Sequence, residues 1–329
     1  MNSIILFGGE GYIGKILSET LIKKKFNVTS YDNFIYQEQP FLPSKNLVRL
    51  KEDILDKKKV LTSLKNKDVA IILAGLVGDP ITKKYPEYSI RVNETGIKLV
   101  IDSCFKKKIK RLIFISTCSN YGLIPENIKA NEEYPLKPIS LYAKSKVNIE
   151  RYLLSLRKKN FSTSATILRF ATAFGYSSRM RFDLTVNQFV KDMYLNNVIT
   201  VYDQNTWRPY CHVKDFARLI IKILSSPKNK IHFEIFNAGG DENNFTKKMI
   251  AENILFYFPK GKINYLKNDV DPRNYKVSFE KLKNSINFVP KFNLQYGIEE
   301  ILSKIKNNEF VLDNKNLYGN YLLRKNLII

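Results

Sequence analysis

The sequence predicts an α/β protein whose parallel sheet is doubly wound, with helices on both faces. Two observations indicate this fold: short apolar runs such as Ser3–Phe7 alternate with helical patterns, and a glycine-rich turn follows the first run. Buried strands separated by helices are typical of parallel sheets covered on both sides. After Phe170 the alternation becomes irregular, which indicates a smaller, interleaved second lobe. Further strands are expected at residues 27–31, 69–73, 111–115 and 164–169, and helices at 13–25, 94–107, 140–159, 182–194 and 213–224.

The 329-residue chain is strongly basic, with 54 Lys and Arg against 31 Asp and Glu and a formal net charge of +23. Such an excess is found in proteins that bind nucleic acids or anionic membranes. The lysine clusters at residues 23–25 and 106–108, however, fall where helices are expected to end, and the helix dipole favours cations there. No nucleic-acid module or interleaved aromatic pattern accompanies them. We therefore predict no nucleic-acid partner and keep a polyanion site as the alternative.

Other features exclude further classes of protein. The longest apolar stretch, residues 69–78, is about half as long as a membrane-spanning helix, so no membrane insertion is predicted. The N-terminus runs directly into a strand pattern without a secretory signal. The cysteines, Cys104, Cys118 and Cys211, are too widely separated for a metal or redox motif. We expect a cytoplasmic protein of enzyme size without a metal.

A glycine-rich turn, with Gly8, Gly11 and Gly14, lies between the first predicted strand and the first helix. This spacing allows a tight turn, close approach of the backbone to a diphosphate, and helix-start N–H groups that face it. Asp32 closes the second strand, where an acidic side chain accepts hydrogen bonds from the adenosine ribose and repels a 2′-phosphate. The neighbouring Asn33 does not supply the arginine that NADP would prefer. The pattern predicts a Rossmann-type domain that binds NAD, with an ordinary strand-end aspartate as the alternative for Asp32.

Tyr142 and Lys146 are four residues apart on a predicted helix and so share one face. An ammonium beside a phenol stabilises the phenolate and lowers the phenol pKa, which is ordinarily about 10. Such a pair can remove or return a hydroxyl proton while a hydride moves to or from a nicotinamide. The same spacing is also common on solvated helices. Hydroxyl side chains at residues 116–119, directly after a buried strand, favour the catalytic interpretation because parallel sheets place their sites at strand ends.

Together these motifs resemble the extended short-chain dehydrogenase/reductases, and within them the nucleotide-sugar epimerase/dehydratase family. The resemblance runs from residue 3 to about residue 303 and leaves the C-terminal tail outside it. It is carried by the glycine turn, Asp32, Asp53-Ile54, Ala74-Gly75, Asn93, Thr117 with Tyr121-Gly122, Tyr142 with Lys146, and the stretch 169–175.

The resemblance implies roles for particular residues. Tyr142 would act as the catalytic base or acid, Thr117 would hydrogen-bond the reacting sugar oxygen, and Lys146 would hold the nicotinamide ribose. The cofactor-binding residues that it implies are Gly8, Gly11, Tyr12, Ile13, Gly14, Asp32, Asn33, Asp53, Ile54, Ala74, Gly75, Asn93, Tyr142, Lys146 and Ala171.

The second half of the chain adds residues for the implied substrate, a nucleotide-diphosphate sugar. Arg208 lies in a segment that resembles the family's Arg-x-x-x-His-Val-x-Asp pattern, and Asp271-Pro272-Arg273 resembles its later Asp-x-Arg partner. Two guanidiniums can each bind a diphosphate through paired hydrogen bonds. The resemblance also implies diphosphate contact by Asn187, and contacts in the hexose pocket by Arg179 and Arg181.

The sequence departs from the dehydratases of this family directly after the catalytic threonine. Those enzymes carry an Asp-Glu pair there for water elimination, whereas this chain has Cys118 and Ser119. Three reactions stay open: 4-epimerisation, net oxidation at sugar carbon 4, and reduction of a 4-keto sugar. Asp32 argues against the last because reductases often use NADPH. His212 is interpreted as structural because Tyr142 already fills the role of the base.

We therefore predict an NAD-dependent nucleotide-sugar epimerase or 4-dehydrogenase that makes sugars for surface polysaccharides and acts as a cytoplasmic homodimer. A 4-keto-sugar reductase is the alternative within this chemistry, and a non-catalytic dinucleotide sensor is the alternative from another class. The expected regions are an NAD-binding domain over 1–172, to which 206–240 return, a nucleotide-sugar lobe over 173–205 and 241–305, and a tail over 306–329.

Overall fold

A seven-stranded parallel sheet forms the centre of the molecule in the computed structural model, which describes residues 1–36, 44–159, 162–267, 273–312 and 317–323. The strands are, in chain order, β1 (Ser3–Phe7), β2 (Asn27–Asp32), β3 (Leu47–Lys51), β4 (Val69–Ile72), β5 (Arg111–Thr117), β6 (Lys129–Ala130), β7 (Ser164–Phe170), β8 (Thr172–Phe174), β9 (Val198–Tyr202), β10 (Trp207–His212), β11 (Glu234–Ala238), β12 (Asn244–Thr246), β13 (Lys262–Leu266) and β14 (Lys276–Val277). The central sheet has the order β11-β7-β5-β4-β1-β2-β3.

Helices cover both faces of this sheet. The α-helices of the described ranges are α1 (Tyr12–Lys23), α2 (Lys57–Ser63), α3 (Asp79–Lys84), α4 (Pro86–Ile90), α5 (Ile97–Lys106), α6 (Leu141–Ser155), α7 (Thr185–Asn196), α8 (Val213–Ser225), α9 (Lys247–Leu255), α10 (Glu280–Ile286) and α11 (Leu294–Lys306). A π-helical turn, Arg91–Gly96, joins α4 to α5.

Successive residues of the central strands point into two separate cores, one on each face of the sheet. In β1, Ile4 and Leu6 belong to the core that includes α1 and α8, whereas Ile5 and Phe7 belong to the core under α2, α5 and α6. Strands buried on both faces require this alternation. The Rossmann-type, doubly wound α/β fold predicted from the sequence is confirmed.

The chain after β7 adds smaller sheets to this frame. β8, β10 and β12 form one, β9 pairs with β13, and β6 pairs with β14. α7, α9 and α11 pack against one another in this part. Between these elements the chain returns to the main sheet, where α8 packs on α1 and β11 pairs with β7. The domain boundaries given above stay a prediction.

The strand order determines where a ligand can bind. From β1 the sheet extends through β2 to β3 on one side and through β4 to β5, β7 and β11 on the other. A crevice therefore opens beyond the carboxyl ends of β1 and its neighbours, the usual position of ligands in open α/β sheets.

Membrane spans and metal-ligand clusters are both absent from the residues that the structure describes. None of the helices there combines the length and apolarity that crossing a membrane requires. Likewise, no three His, Cys, Asp or Glu side chains in the same ranges come together as ligands for a metal ion.

Candidate active site

A cavity of about 640 Å³ lies at the carboxyl ends of the central strands. Its walls come from the ends of β1, β2, β4, β5 and β7 and from parts of the chain after residue 172. Asp53, Asn93 and Asn187 do not line it. The predicted site residues that do are Gly8, Gly11, Tyr12, Ile13, Gly14, Asp32, Asn33, Ile54, Ala74, Gly75, Thr117, Tyr142, Lys146, Ala171, Arg179, Arg181, Arg208 and Arg273.

The glycine turn forms a cradle that side chains would fill. Gly8 has a φ of +87°, and a Cβ there would lie 2.6 Å from the Ala74 nitrogen. A Cβ on Gly14 would lie 2.5 Å from the carbonyl oxygen of Gly8. Helix α1 begins at Tyr12, and its N-cap residue Gly11 has no side chain to bond the N–H groups of the first turn. Those N–H groups suit an anion, so the turn fits a dinucleotide diphosphate.

Asp32 ends β2 at the cavity wall. Its carboxylate accepts hydrogen bonds from the backbone N–H groups of Glu10 (3.0 Å) and Phe34 (2.9 Å). Burial raises the pKa of Asp32 to about 6, although these bonds oppose the rise. Asn33 lines the cavity beside it and donates to the carboxylate of Asp53 (2.9 Å). Asp53 therefore does not line the cavity itself but holds the side chain of Asn33, which does.

Asn93 also acts from behind the wall. It lies in the π-helical turn, a distortion that is frequent at functional sites. Its side-chain oxygen accepts a hydrogen bond from the Leu76 N–H (2.8 Å), and its amide donates to the Leu76 carbonyl oxygen (3.0 Å). These two bonds fix the loop after β4, of which residues 73–80 line the cavity.

The structure brings Thr117, Tyr142 and Lys146 to one cavity. Thr117 ends β5, and its hydroxyl accepts a hydrogen bond from the N–H group two residues later (3.1 Å). Tyr142 and Lys146 lie one turn apart at the start of α6. The ammonium of Lys146 donates to the carbonyl oxygen of Ile115 (2.8 Å) and lies 5.8 Å from the centre of the Tyr142 ring.

The charges around Tyr142 differ from the sequence expectation. Burial raises the pKa of the Tyr142 phenol, and Arg181 is the cation that opposes this rise. Burial also lowers the pKa of Lys146 to about 7, against the charge of Glu150. The expected lowering of the Tyr142 pKa by Lys146 is therefore not seen, because the ammonium is buried and directed to a backbone carbonyl.

The two residues after Thr117 face different surroundings. Cys118 is buried outside the cavity wall, and its thiol donates to the carbonyl oxygen of Arg169 (3.1 Å). Burial raises the pKa of this thiol. Ser119 lines the cavity, and its hydroxyl lies 3.1 Å from that of Tyr275. Neither side chain has the acidity of the carboxylic acids that the dehydratases carry at these positions.

The two arginines predicted to bind the substrate diphosphate lie together. Arg208 donates to the carbonyl oxygen of Arg273, and its guanidinium lies 5.0 Å from the centre of the Tyr275 ring. Arg273 forms an ion pair with Asp79 (2.9 Å), the first residue of α3. Asp271, which belongs to the same sequence motif, lies outside the described residues.

Arg181 and Asn187 are engaged within the protein. The Arg181 guanidinium forms two hydrogen bonds with Asp183 (3.0 and 2.5 Å) at the cavity wall. Asn187 is fully buried, and its amide donates to the Tyr12 hydroxyl and the Arg181 carbonyl (3.0 Å each). Its oxygen accepts from the N–H of Gly175 (3.0 Å). Asn187 thus supports the wall and does not face the cavity.

His212 is fully buried outside the cavity wall. Its Nδ1 accepts a hydrogen bond from the N–H of Lys214 at the start of α8, and its Nε2 lies 3.0 Å from the carboxylate of Glu300. Both ring nitrogens are engaged within the protein. These contacts are those of a structural histidine, as predicted from the sequence.

Part of the cavity wall was not predicted from the sequence. Tyr275 and Asp79 line the cavity, as do Asn320 and Tyr321 from the C-terminal segment, residues 317–323. Tyr275 lies two residues after the motif at residues 271–273, so that motif is the signal that could have identified it. The C-terminal segment carries no recognisable motif, and only its contacts in the folded chain identify it as part of the site.

The chain is similar in sequence and in structure to known proteins. A model of the NAD dependent epimerase/dehydratase family matches residues 4–239. An uncharacterized UDP-glucose epimerase of Bacillus subtilis (strain 168) is 27% identical over 310 residues, which are 90% of this chain and 95% of that protein. The UDP-glucose 4-epimerase of the same strain is 24% identical over 263 residues, 72% of this chain and 77% of that protein. The crystal structure of UDP-glucuronic acid 4-epimerase from Bacillus cereus, in complex with UDP-glucuronic acid and NAD, superposes with a TM-score of 0.83 and 25% identity over 93% of this chain and 99% of that one.

Proposed function

Because the chain belongs to the NAD-dependent epimerase/dehydratase family, we propose that it acts on a nucleotide-diphosphate sugar at carbon 4, as an epimerase or a 4-dehydrogenase. One observation carries this proposal: Thr117, Tyr142 and Lys146 line the same cavity as the glycine turn. A phenol that transfers protons and a cradle for a dinucleotide, placed in one cavity, are what hydride transfer at a hydroxyl-bearing carbon requires.

The glycine turn and Asp32 would hold NAD. The diphosphate would bind at Gly8, Gly11 and the first turn of α1, and the Asp32 carboxylate would accept hydrogen bonds from the adenosine ribose. A negative charge at Asp32 disfavours the 2′-phosphate of NADP. When bound, NAD supplies an acceptor and donor of hydride.

Tyr142 is the proposed base. It takes the proton of the sugar 4-hydroxyl and later returns it, while Thr117 hydrogen-bonds the same oxygen. Since burial raises the pKa of the phenol, nearby positive charge must stabilise the phenolate. Arg181, the cation that opposes this rise, is the side chain proposed to supply that charge, and Lys146 is proposed to hold the nicotinamide ribose. For an epimerase, the 4-keto sugar must then present its other face.

Elimination of water from the sugar is not part of the proposal. It would need a proton donor and a base after Thr117, where the chain has a buried thiol, Cys118, and a serine hydroxyl, Ser119. Tyr142 remains the proposed proton-transfer group beside the predicted position of the 4-hydroxyl. The proposed chemistry is therefore confined to carbon 4.

A UDP-sugar is the proposed first substrate to test. The relatives named above are described as epimerases of UDP-glucose or UDP-glucuronic acid. Arg208 and Arg273, which lie together at the cavity wall, are the proposed diphosphate-binding residues. A role in surface-polysaccharide synthesis, a homodimeric state and a cytoplasmic location stay predictions from the sequence.

A substrate deuterated at carbon 4 distinguishes the possible reactions. The purified protein is incubated with UDP-[4-²H]glucose, without and with added NAD, and products are examined by NMR and mass spectrometry. An epimerase yields the C4 epimer with deuterium still at carbon 4 and no net NADH. A 4-dehydrogenase yields a 4-keto sugar and one equivalent of reduced, deuterated cofactor. UDP-glucuronic acid is tested in the same way.

Three results would contradict the proposal. Movement of deuterium to carbon 6 with loss of water would show a 4,6-dehydratase. Absence of turnover of the UDP-sugars, together with consumption of NADPH when a 4-keto sugar is supplied, would favour the reductase. A protein that binds NAD but turns over neither a UDP-sugar nor a 4-keto sugar would favour the dinucleotide sensor.

A further inference from the structure

Arg179 is a buried cation whose partners are all neutral. Its guanidinium donates to the side-chain oxygen of Asn320 (2.9 Å) and, at longer range, to the carbonyl oxygens of Met180 (3.3 Å) and Gly319 (3.4 Å). The residue is 5% exposed and lines the cavity. No carboxylate among the residues that the structure describes lies within ion-pair distance of it. Buried charges are ordinarily paired, so this guanidinium is suited to a ligand anion.

The neighbouring Arg181 differs from Arg179 because it has a carboxylate partner. Arg181 is similarly buried but is neutralised by two hydrogen bonds to the carboxylate of Asp183. Burial lowers the pKa of Arg179 to about 10, which still leaves it charged at neutral pH. Of these two arginines, only Arg179 has no carboxylate hydrogen-bonded to its guanidinium.

The contacts of Arg179 place it beside the cofactor cradle. Its guanidinium lies 4.9 Å from the centre of the ring of Tyr36, which follows β2. Two residues earlier, the Ser177 hydroxyl donates to the carbonyl oxygen of Tyr12 in the first turn of α1 (2.8 Å). The backbone that carries Arg179 therefore packs on the helix start whose first N–H groups have no side-chain cap.

The C-terminal segment fixes the arginine in this place. Asn320 accepts from Arg179, and its amide donates to the carbonyl oxygen of Val77 in the loop after β4 (3.0 Å). The backbone N–H of Asn320 donates to Asp183 (3.3 Å). Asn320 and Leu323 are both buried, so the segment is packed as part of the cavity wall. One asparagine thus joins Arg179 to the loop of the sheet domain.

We propose that Arg179 binds the diphosphate of the dinucleotide cofactor, together with the first turn of α1, and that Asn320 positions it. This inference rests on the proposed binding of NAD and moves Arg179 from the hexose pocket to the cofactor. A guanidinium binds a diphosphate through charge-assisted, paired hydrogen bonds, which an uncapped helix start alone does not provide.

Binding measurements on the full-length protein test the proposal. Affinities for NAD, ADP-ribose and adenosine are measured by calorimetry after bound nucleotide has been removed with charcoal. For Arg179→Ala we expect NAD and ADP-ribose to bind about ten- to a hundredfold more weakly, because one charged contact to the diphosphate is lost. Adenosine, which has no phosphate, should bind as it does to the wild type. Arg157→Ala, which removes an exposed arginine outside the cavity, is the matched control.

Two further variants keep the test decisive if Arg179→Ala does not fold. Arg179→Lys retains the charge but loses the planar fork, and should weaken ADP-ribose binding by less than the alanine variant. Asn320→Asp places a carboxylate beside the guanidinium, and should weaken ADP-ribose binding although Arg179 is intact.

The outcomes separate the inference from the function on which it rests. If the wild-type protein fails to bind NAD, the proposed function is wrong. If the wild type binds NAD and the Arg179 variants bind it equally well, only the inference is wrong. If the variants lose affinity only for the nucleotide sugar, Arg179 binds the substrate and not the cofactor. If they lose affinity for adenosine as much as for NAD, Arg179 only supports the structure of the site.

Discussion

Nη1 of Arg273 lies 2.9 Å from Oδ2 of Asp79, so an ion pair joins the segment before β14 to the start of α3. Both residues line the cavity, and about a fifth of each side chain is exposed. If Arg273 binds the substrate diphosphate, as proposed, the phosphates enter beside a carboxylate that already holds the same guanidinium. Asp79 then competes with the substrate for Arg273.

Asp79→Asn is therefore expected to strengthen substrate binding. Removing the carboxylate frees the Arg273 guanidinium for the substrate and removes a charge that repels the diphosphate. A partly exposed ion pair contributes about 1 kcal/mol, so KM should be about fivefold lower. The value of kcat should not fall, because Asp79 does not contact the reacting carbon in the proposed mechanism and its negative charge raises the pKa of Tyr142, the proposed base. Steady-state kinetics with the nucleotide sugar and calorimetry with UDP provide the measurements.

Asp68→Asn is the matched control for this prediction. Asp68, whose side chain is about as exposed as that of Asp79, forms an ion pair with the more exposed Lys110 (2.7 Å) outside the cavity wall, so its loss should leave KM unaltered. A higher KM for Asp79→Asn would show instead that Asp79 holds Arg273 in the orientation that the substrate needs.

Asp32 should make cofactor binding depend on pH. Burial raises its pKa to about 6, and binding to ribose hydroxyls favours the ionised carboxylate. Affinity for NAD should therefore be constant above about pH 6 and fall as the pH is lowered through that value. Asp32→Asn should bind NAD more weakly, flatten this dependence and narrow the preference over NADP. Fluorescence titration with NADH and NADPH between pH 5 and 8 measures the pH dependence of affinity and the preference between the two cofactors. If the wild-type affinity does not change with pH, Asp32 does not titrate in this range.

Tyr142→Phe should abolish most turnover while leaving the fold and cofactor binding intact. General acid–base groups contribute about a hundred- to ten-thousandfold to rate, so kcat should fall by that order. Tyr134→Phe is the control, since it removes a phenol hydroxyl outside the cavity wall. Loss of NAD binding in the Tyr142 variant would show that the phenol hydroxyl is needed to bind the cofactor, and retention of kcat would assign the base to another residue.

Most of the central sheet was predictable because its strands are apolar on both faces. β1 was placed at its observed bounds, Ser3–Phe7, and α1 differs from the prediction by one residue at its start and two at its end. β3 was not predicted. It is an edge strand, Leu47–Lys51, with partly exposed side chains on both faces, so it lacks the apolar run that marks the inner strands.

The parts of the site that sequence could not supply depend on contacts between distant segments. The expectation for Lys146 assumed that helical spacing alone directs its ammonium to Tyr142, whereas the end of β5 offers the carbonyl of Ile115. The helix predicted at residues 182–194 begins instead at Thr185, and Asp183 before it pairs with Arg181. Asn320 donates a hydrogen bond to Val77, 243 residues away in the sequence, and no local sequence pattern predicts such a contact.

Glu300 provides a prediction about stability that is independent of catalysis. Burial favours its neutral form, but hydrogen bonds with His212 and Lys214 outweigh this and hold its pKa at about 2. The folded pKa is below the ordinary value of 4.5, so the stabilisation is complete above about pH 4.5 and is lost as the pH falls toward 2.

Glu300→Gln should lower the free energy of unfolding by about 2 kcal/mol at pH 7, the worth of a hydrogen bond to a charged group. Urea unfolding at pH 7, 5, 4 and 3 should show this difference shrinking below pH 5, while Glu299→Gln, at the exposed neighbouring position, should have little effect at any pH. A difference that stayed constant down to pH 3 would show that the shape of the side chain, and not its charge, supports the buried His212.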